Sequence, residues 1–134
     1  MSPKDLPRAA LRFLAERHLA TFTSLRPDGT PHVVPVGFTW EQERSLARVI
    51  TSGGQQKARN AAAGGPVVIC QAVGAQWISL EGTGRVAEDA DSVADGVSRY
   101  AARYRQPREN PERVVIEVEV HRILGSVRLL GHGL

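Results

Sequence analysis

The chain contains a single cysteine, Cys70, so neither a disulfide framework nor a CxxC metal site can be built from it. That residue ends the apolar run Val67-Val68-Ile69-Cys70, and a free thiol there suits a reducing cytoplasm. Aromatic residues make up 5% of the 134 positions, too few for a base-stacking surface. No stretch approaches the roughly 18 apolar residues that cross a bilayer, and the N-terminus lacks a continuous apolar segment of the secretory kind. A cytoplasmic protein with no membrane partner is expected. Lysine is also scarce: Lys4 and Lys57 stand beside 15 arginines, and the formal charge of +3 is far from a polybasic coat. Nucleic acid is therefore not an expected partner.

Against these absences, 42% of the residues are apolar, enough for one compact core, and residues 1–134 read as one domain. Leu6, Ala10, Phe13 and Leu14 recur at helical spacing, with Arg8, Arg12 and Glu16 on the other side. From His18 the period changes to two and runs to Leu25, where Arg26-Pro27-Asp28-Gly29 has the chemistry of a hairpin turn. The return strand spans Pro31 to Trp40, with Val34, Val36, Phe38 and Trp40 on one face. Pro35 cannot donate to a ladder, so the sheet must have an edge, a bulge or an opening at that point.

Leu46 to Ser52 forms a third strand, followed by Gly53-Gly54 and a polar helix, Gln55 to Ala63, stopped by Gly64-Gly65-Pro66. A fourth strand runs from Val67 to Val73, and a fifth from Gln76 to about Glu88, with Gly82 and Gly84 marking a bend or close backbone approach. Val93, Val97, Tyr100 and Tyr104 give a third helix, ended by a loop from Arg105 to Pro111. The last strand, Arg113 to His121, turns Val114, Ile116, Val118 and Val120 inward and Glu117 and Glu119 to solvent. Six antiparallel strands with three short helices predict a mainly β fold closed as a small barrel.

The strongest local signal is the corner from Arg48 to Arg59, a strand ending in two glycines before a helix with Lys57 in its first turns. Hydroxyls on Thr51 and Ser52, helix-start N–H groups and the Lys57 ammonium form either a phosphate cradle or an ordinary corner with a solvated lysine. The P-loop pattern and the GxGxxG fingerprint are both absent. His18, His32, His121 and His132 show no metal-ligand spacing, and there is no G-x-S-x-G elbow. No metal is expected, and no catalytic side chain is singled out. Trp77 suits either ring stacking or packing. Arg99, Arg103, Arg105, Arg108 and Arg113 surround the end of the third helix, either as receivers of carboxylates or as a solvated charged face.

Taken together, several stretches resemble the split-barrel flavin and deazaflavin oxidoreductases related to pyridoxamine-phosphate oxidase, and within them the coenzyme F420-dependent biliverdin reductases. The likeness runs through Phe13 to Ala20, Pro31 to Thr39, Arg48 to Asn60, Trp77 to Gly82, Arg99 to Arg105 and Arg113 to Val118. It implies a six-stranded split β-barrel of the FMN-binding-protein kind, forming a homodimer with two shared cofactor grooves. The implied cofactor is F420, with FMN as the alternative; many FMN-holding relatives carry two adjacent cations where this chain has Gln56-Lys57.

The resemblance places the cofactor phosphate at Thr51, Ser52, Gln56 and Lys57. The ring would lie along Pro35, Val36, Gly37 and the strand Arg48, Val49, Ile50, with Trp77 and Ile78 from the partner. Arg59, Arg105, Arg108 and Arg113 are the candidate cations for the substrate, a tetrapyrrole, with Arg48 in reserve. The implied activity is hydride transfer from reduced deazaflavin to biliverdin, giving bilirubin. An FMN oxidase or reductase, or a non-catalytic module that stores cofactor or tetrapyrrole, are the competing outcomes.

Overall fold

The computed structural model describes residues 1–131; His132 lies outside the described residues. A 3-10 turn, Pro3–Asp5, precedes α1 (Arg8–Ala15), which buries Ala10, Phe13 and Leu14 as its apolar stripe requires. β1 (Ala20–Leu25) and β2 (Pro31–Val36) form the expected hairpin. Asp28 Oδ1 accepts from the Thr30 N–H and hydroxyl, and Gly29 takes φ +86°, a conformation a β-carbon would strain. β3 (Thr39–Glu41) and β4 (Leu46–Ser52) make a second hairpin, and α2 (Gln56–Ala62) follows. β5 (Pro66–Val73), β6 (Gln76–Ala87), α3 (Ala90–Arg103), β7 (Arg113–Gly125) and α4 (Val127–Leu130) complete the chain.

The fold is mainly β and antiparallel, as expected, but the described residues form seven strands rather than six. The segment from Pro31 to Trp40 is not one strand. It breaks at Gly37-Phe38, where the Phe38 N–H and carbonyl bond to side chains of α3 and its C-cap instead of to a neighbouring strand. The face assignment survives the break, with Val36 and Phe38 buried and Val34 and Trp40 packed against the core.

Sheet order is β2-β1-β5-β6-β7-β4-β3, so consecutive strands β2 and β3 occupy opposite edges although two residues join them. Only a sheet curled into a barrel satisfies both facts. The barrel stays unzipped where β2 faces β4, and Pro35, which can add nothing to a ladder, lies on that edge strand. Phe22, Phe38, Ile69, Leu80, Ile116 and Ile123 fill the interior. α2 closes one end with Ala58 and Ala61, and its Asn60 donates to Ser24. At the Glu81/Gly82 bulge a β-carbon on Gly82 would collide with the Glu119 carbonyl, the close approach the sequence signals.

Two further expectations need correction. The last strand continues to Gly125, past His121. Glu117 is 9% exposed rather than solvated, because α3 lies across the outer face of β4 and β7, with Gly96 pressed against Ile50 and Val115. Strand alternation reveals two faces without saying that both are covered.

Candidate functional site

The unzipped seam forms a cleft of about 340 Å³. Pro35, Val36 and Gly37 line one lip and Val49, Ile50, Thr51 and Ser52 the other, with Lys57 at one end. The resemblance implies a shared site for all eight, and they lie around this one cavity. Arg113 also lines it, beside Gln55, Tyr100, Pro107 and Asn110, which the sequence reading missed.

The charge of this lining is one-sided: it contains Lys57 and Arg113 and, among the described residues, no carboxylate. Lys57 is half-buried, and burial lowers the pKa of its ammonium. Its hydrogen-bond partner is the Gln55 side-chain oxygen, which also accepts from the Thr51 hydroxyl at 3.1 Å. Two donors thus converge on one neutral oxygen, an arrangement that an anionic oxygen would satisfy better. Asn110 Nδ2 donates to Ser52 Oγ at 2.8 Å and fixes the hydroxyl next to that point. α2 has only seven residues, so the cation and hydroxyls carry the electrostatics rather than a helix dipole.

The opposite end is set by a knot of side chains. Arg103 lies over the Phe38 ring, 4.6 Å from its centroid, and donates to the carbonyls of Glu16 and Phe38 and to Gln71 Oε1. The Tyr104 hydroxyl donates to the His18 carbonyl at 2.6 Å and accepts from the Phe38 N–H. Burial lowers the Arg103 pKa and raises that of Tyr104. These bonds replace the missing ladder at Gly37-Phe38. A β-carbon on Gly37 would sit 3.0 Å from the Tyr100 ring and 3.1 Å from that of Tyr104, so glycine is what lets the corner approach α3.

Other expected site residues lie elsewhere. Arg48 does not line the cleft: its side chain is 3% exposed and lies beneath α3, on the face of β4 that it shares with Ile50. There it pairs with Glu41 at 2.8 Å, Asp95 at 3.6 Å and Glu117 at 3.9 Å, in a cluster that Arg85 and Arg99 extend. Gln56 turns along α2, donating to Asn60 and accepting from Arg59, which also donates to the Gly54 carbonyl. Ile78 is buried in its own core, while Trp77 is 38% exposed on the outer face of β6. Arg108 lines a groove that shares Pro107, Asn110 and Arg113 with the cleft, and Arg105 lies beyond Tyr100. Spacing contained a signal for Gln55, four residues after Thr51 and two before Lys57. Tyr100 and Asn110 arrive from distant segments, and no local pattern marks them.

Comparison with known proteins gives this geometry its relatives. The chain is 58% identical over 121 residues to an F420H2-dependent biliverdin reductase of Mycobacterium tuberculosis, covering 90% of this chain and 88% of that protein. A solved F420 reductase superposes with a TM-score of 0.72 at 23% identity, covering 88% of this chain and 98% of the other. A conserved hypothetical protein of Mycobacterium tuberculosis superposes with a TM-score of 0.75 at 19% identity, covering 92% and 86%. At those identities the two structures share the fold alone. Residues 6–126 match the pyridoxamine 5'-phosphate oxidase family, and the chain belongs to that family.

Proposed function

We propose that this chain is an F420H2-dependent reductase that delivers a hydride to biliverdin, which takes up one proton from solvent to form bilirubin. The observation that carries the reading is the cleft itself, which has two cations and, among the described residues, no carboxylate in a chain 58% identical to a reductase of that activity. The residues fit an anionic cofactor, since Lys57 and Thr51 already aim their donors at a single point. Lys57, Thr51 and Ser52 hold the phosphate, with Gln55 yielding its place and Gln56 supporting α2 from behind.

Pro35, Val36 and Gly37 on one lip, with Val49 and Ile50 on the other, wall in the ring and keep water from it. When bound, the reduced deazaflavin supplies a hydride from its ring, so no side chain need act as nucleophile. In this reading the protein works in the cytoplasm as a homodimer. Leu25, Val33 and Trp77 leave apolar surface exposed on the outward side of β1, β2 and β6, where a second copy would cover it. Trp77 is then a residue the partner would contribute, whereas the Ile78 side chain stays in its own core.

Anaerobic mixing with reduced F420 tests the activity: biliverdin-dependent oxidation of the cofactor is expected, and no turnover at saturating cofactor overturns it. Titration with both F420 and FMN decides the cofactor, because tighter FMN binding, or yellow protein that releases flavin on denaturation, moves the chain to the flavin class. Sedimentation tests the dimer, and a monomer at working concentration contradicts it.

A further inference from the structure

The reading above assigns the Lys57 end of the cleft to an anionic group and leaves the electron acceptor without a seat. An acceptor must meet the flat ring, and the end left for the ring is the one bounded by Gly37 and Tyr100. Arg108 and Arg113 lie at the other end. Arg113 stands opposite Ser52 in the β4–β7 ladder and donates to the Arg108 carbonyl, while Asn110 of the same loop bonds to Ser52.

A second groove, of about 370 Å³, opens on the far side of Tyr100. Arg17, His18, Leu19, Tyr100, Tyr104 and Arg105 line it. Two tyrosine rings with centroids 4.9 Å apart and planes tilted by 33° form one wall, and Leu19 is 64% exposed with nothing over it. Its charge is uncommitted. Among the described residues Arg17 and Arg105 make no hydrogen bond or ion pair, unlike Arg48, Arg99 and Arg103. The carboxylate next to it in sequence, Glu16, faces His18 at 3.6 Å. The Tyr104 hydroxyl is already used by His18 and Phe38, and the two guanidinium groups are the unpaired cations of the groove among the described residues.

We infer that this groove is the acceptor subsite. It takes a flat conjugated molecule bearing two carboxylates, with Arg17 and Arg105 as counter-ions and Tyr100 as the wall shared with the cofactor cleft. The inference rests on the reductase reading and adds to it the location and the cations. Guanidinium forks pair with carboxylates in a fixed plane, and loose exposed arginines beside tyrosine rings are poised to do so.

Arg17→Glu and Arg105→Glu are the test, since both side chains are exposed and unpaired and the fold does not depend on them. Biliverdin affinity is measured by absorption titration of protein saturated with oxidised F420, alongside F420 affinity and the split of KM from kcat, and repeated with biliverdin dimethyl ester. Each reversal is expected to weaken biliverdin binding about tenfold and raise KM likewise, with F420 affinity unchanged and little effect on the ester. Arg108→Glu should act on F420 affinity instead. The subsite is overturned if both reversals leave biliverdin binding within twofold of wild type, if the ester responds equally, or if Arg108→Glu is the change that weakens biliverdin. Wild-type protein that binds F420 yet neither binds nor reduces biliverdin overturns the reductase reading, and the subsite with it.

Discussion

Two cations of one strand–helix unit, Arg48 and Lys57, lie nine residues apart and have opposite fates. Arg48 is sealed beneath α3 among Glu41, Asp95 and Glu117, with the charges on the outer face of the barrel matched sign against sign. Lys57 sits in the seam with a neutral amide for company and, among the described residues, no carboxylate in the lining around it. Burial alone would rank Arg48 as the functional residue. Pairing reverses the order: a charge whose partners are supplied by the fold is architecture, and one whose partner is missing awaits a ligand.

The largest expected effect breaks the matched side. Arg48→Met leaves the Glu41 and Glu117 carboxylates buried beside fewer cations, and should cost about 3–5 kcal/mol of folding stability by urea denaturation, since breaking one partner of a buried ion pair strands the other. Replacing Glu41 and Glu117 by leucine in the same chain should return most of that loss. Failure of this rescue would mean that the cluster acts through packing rather than charge.

Lys57→Ala is the counterpart and should leave stability almost untouched. It is expected to weaken F420 binding by one to two orders of magnitude, because a charge-assisted contact contributes about 1.5–3 kcal/mol. An unchanged dissociation constant removes Lys57 from the site. The pH dependence sharpens the point. Desolvation lowers the Lys57 pKa below its ordinary 10.5, so the folded chain releases this proton more readily than the unfolded one. The charged form therefore carries a stability penalty at neutral pH, which fades as pH rises from the folded value towards 10.5. Anion affinity runs the other way: it is full below the lowered pKa and declines above it, sooner than for an exposed lysine. Titration of F420 affinity with pH should show that alkaline decline in wild type and a flat line in Lys57→Ala.

The contrast also explains what the sequence reveals. Lys57, Thr51 and Ser52 were legible because strand, turn and helix are consecutive, so spacing alone brings them together. Arg48 misled because alternation puts it on the same face as Ile50 and Ser52, and only the acidic side chains Glu41, Asp95 and Glu117 beneath α3 take it out of the cleft. Glu117 misled because alternation does not say that α3 covers its face. The break at Gly37-Phe38 is written in Arg103 and Tyr104, more than sixty residues away, and no local periodicity reports a bond across that distance. Pro35 did announce an edge, because a missing donor is a local property with a global consequence.

A smaller effect is expected where the two regions meet. Gly37→Ala puts a β-carbon 3.0 Å from the Tyr100 ring and 3.1 Å from that of Tyr104. Tyr104 is pinned by His18 and Phe38, so Tyr100 has to give way, and it is the ring that lines both the cleft and the groove beyond it. Overpacking of this kind costs about 1–2 kcal/mol, and the loss of ligand affinity should exceed what the stability change alone would produce. Equal, small changes in both quantities would show that Tyr100 adapts without moving the walls.

The smallest effect belongs to the far end of α3, where no cleft residue resides. Asp89 caps the helix by accepting from the Ser92 N–H at 3.0 Å, and that bond holds its carboxyl below the ordinary 3.8. A depressed carboxylate stabilises the fold above its unfolded pKa, and the contribution is lost as pH falls below about 3.8 through the folded value. Asp89→Asn keeps an acceptor for Ser92 and removes the titration, so its acid unfolding curve should lack that part of the pH dependence while F420 affinity at neutral pH stays unchanged. A change in affinity would show that α3 transmits strain along its length from cap to Tyr100, and the separation between a matched outer face and an open seam would then fail.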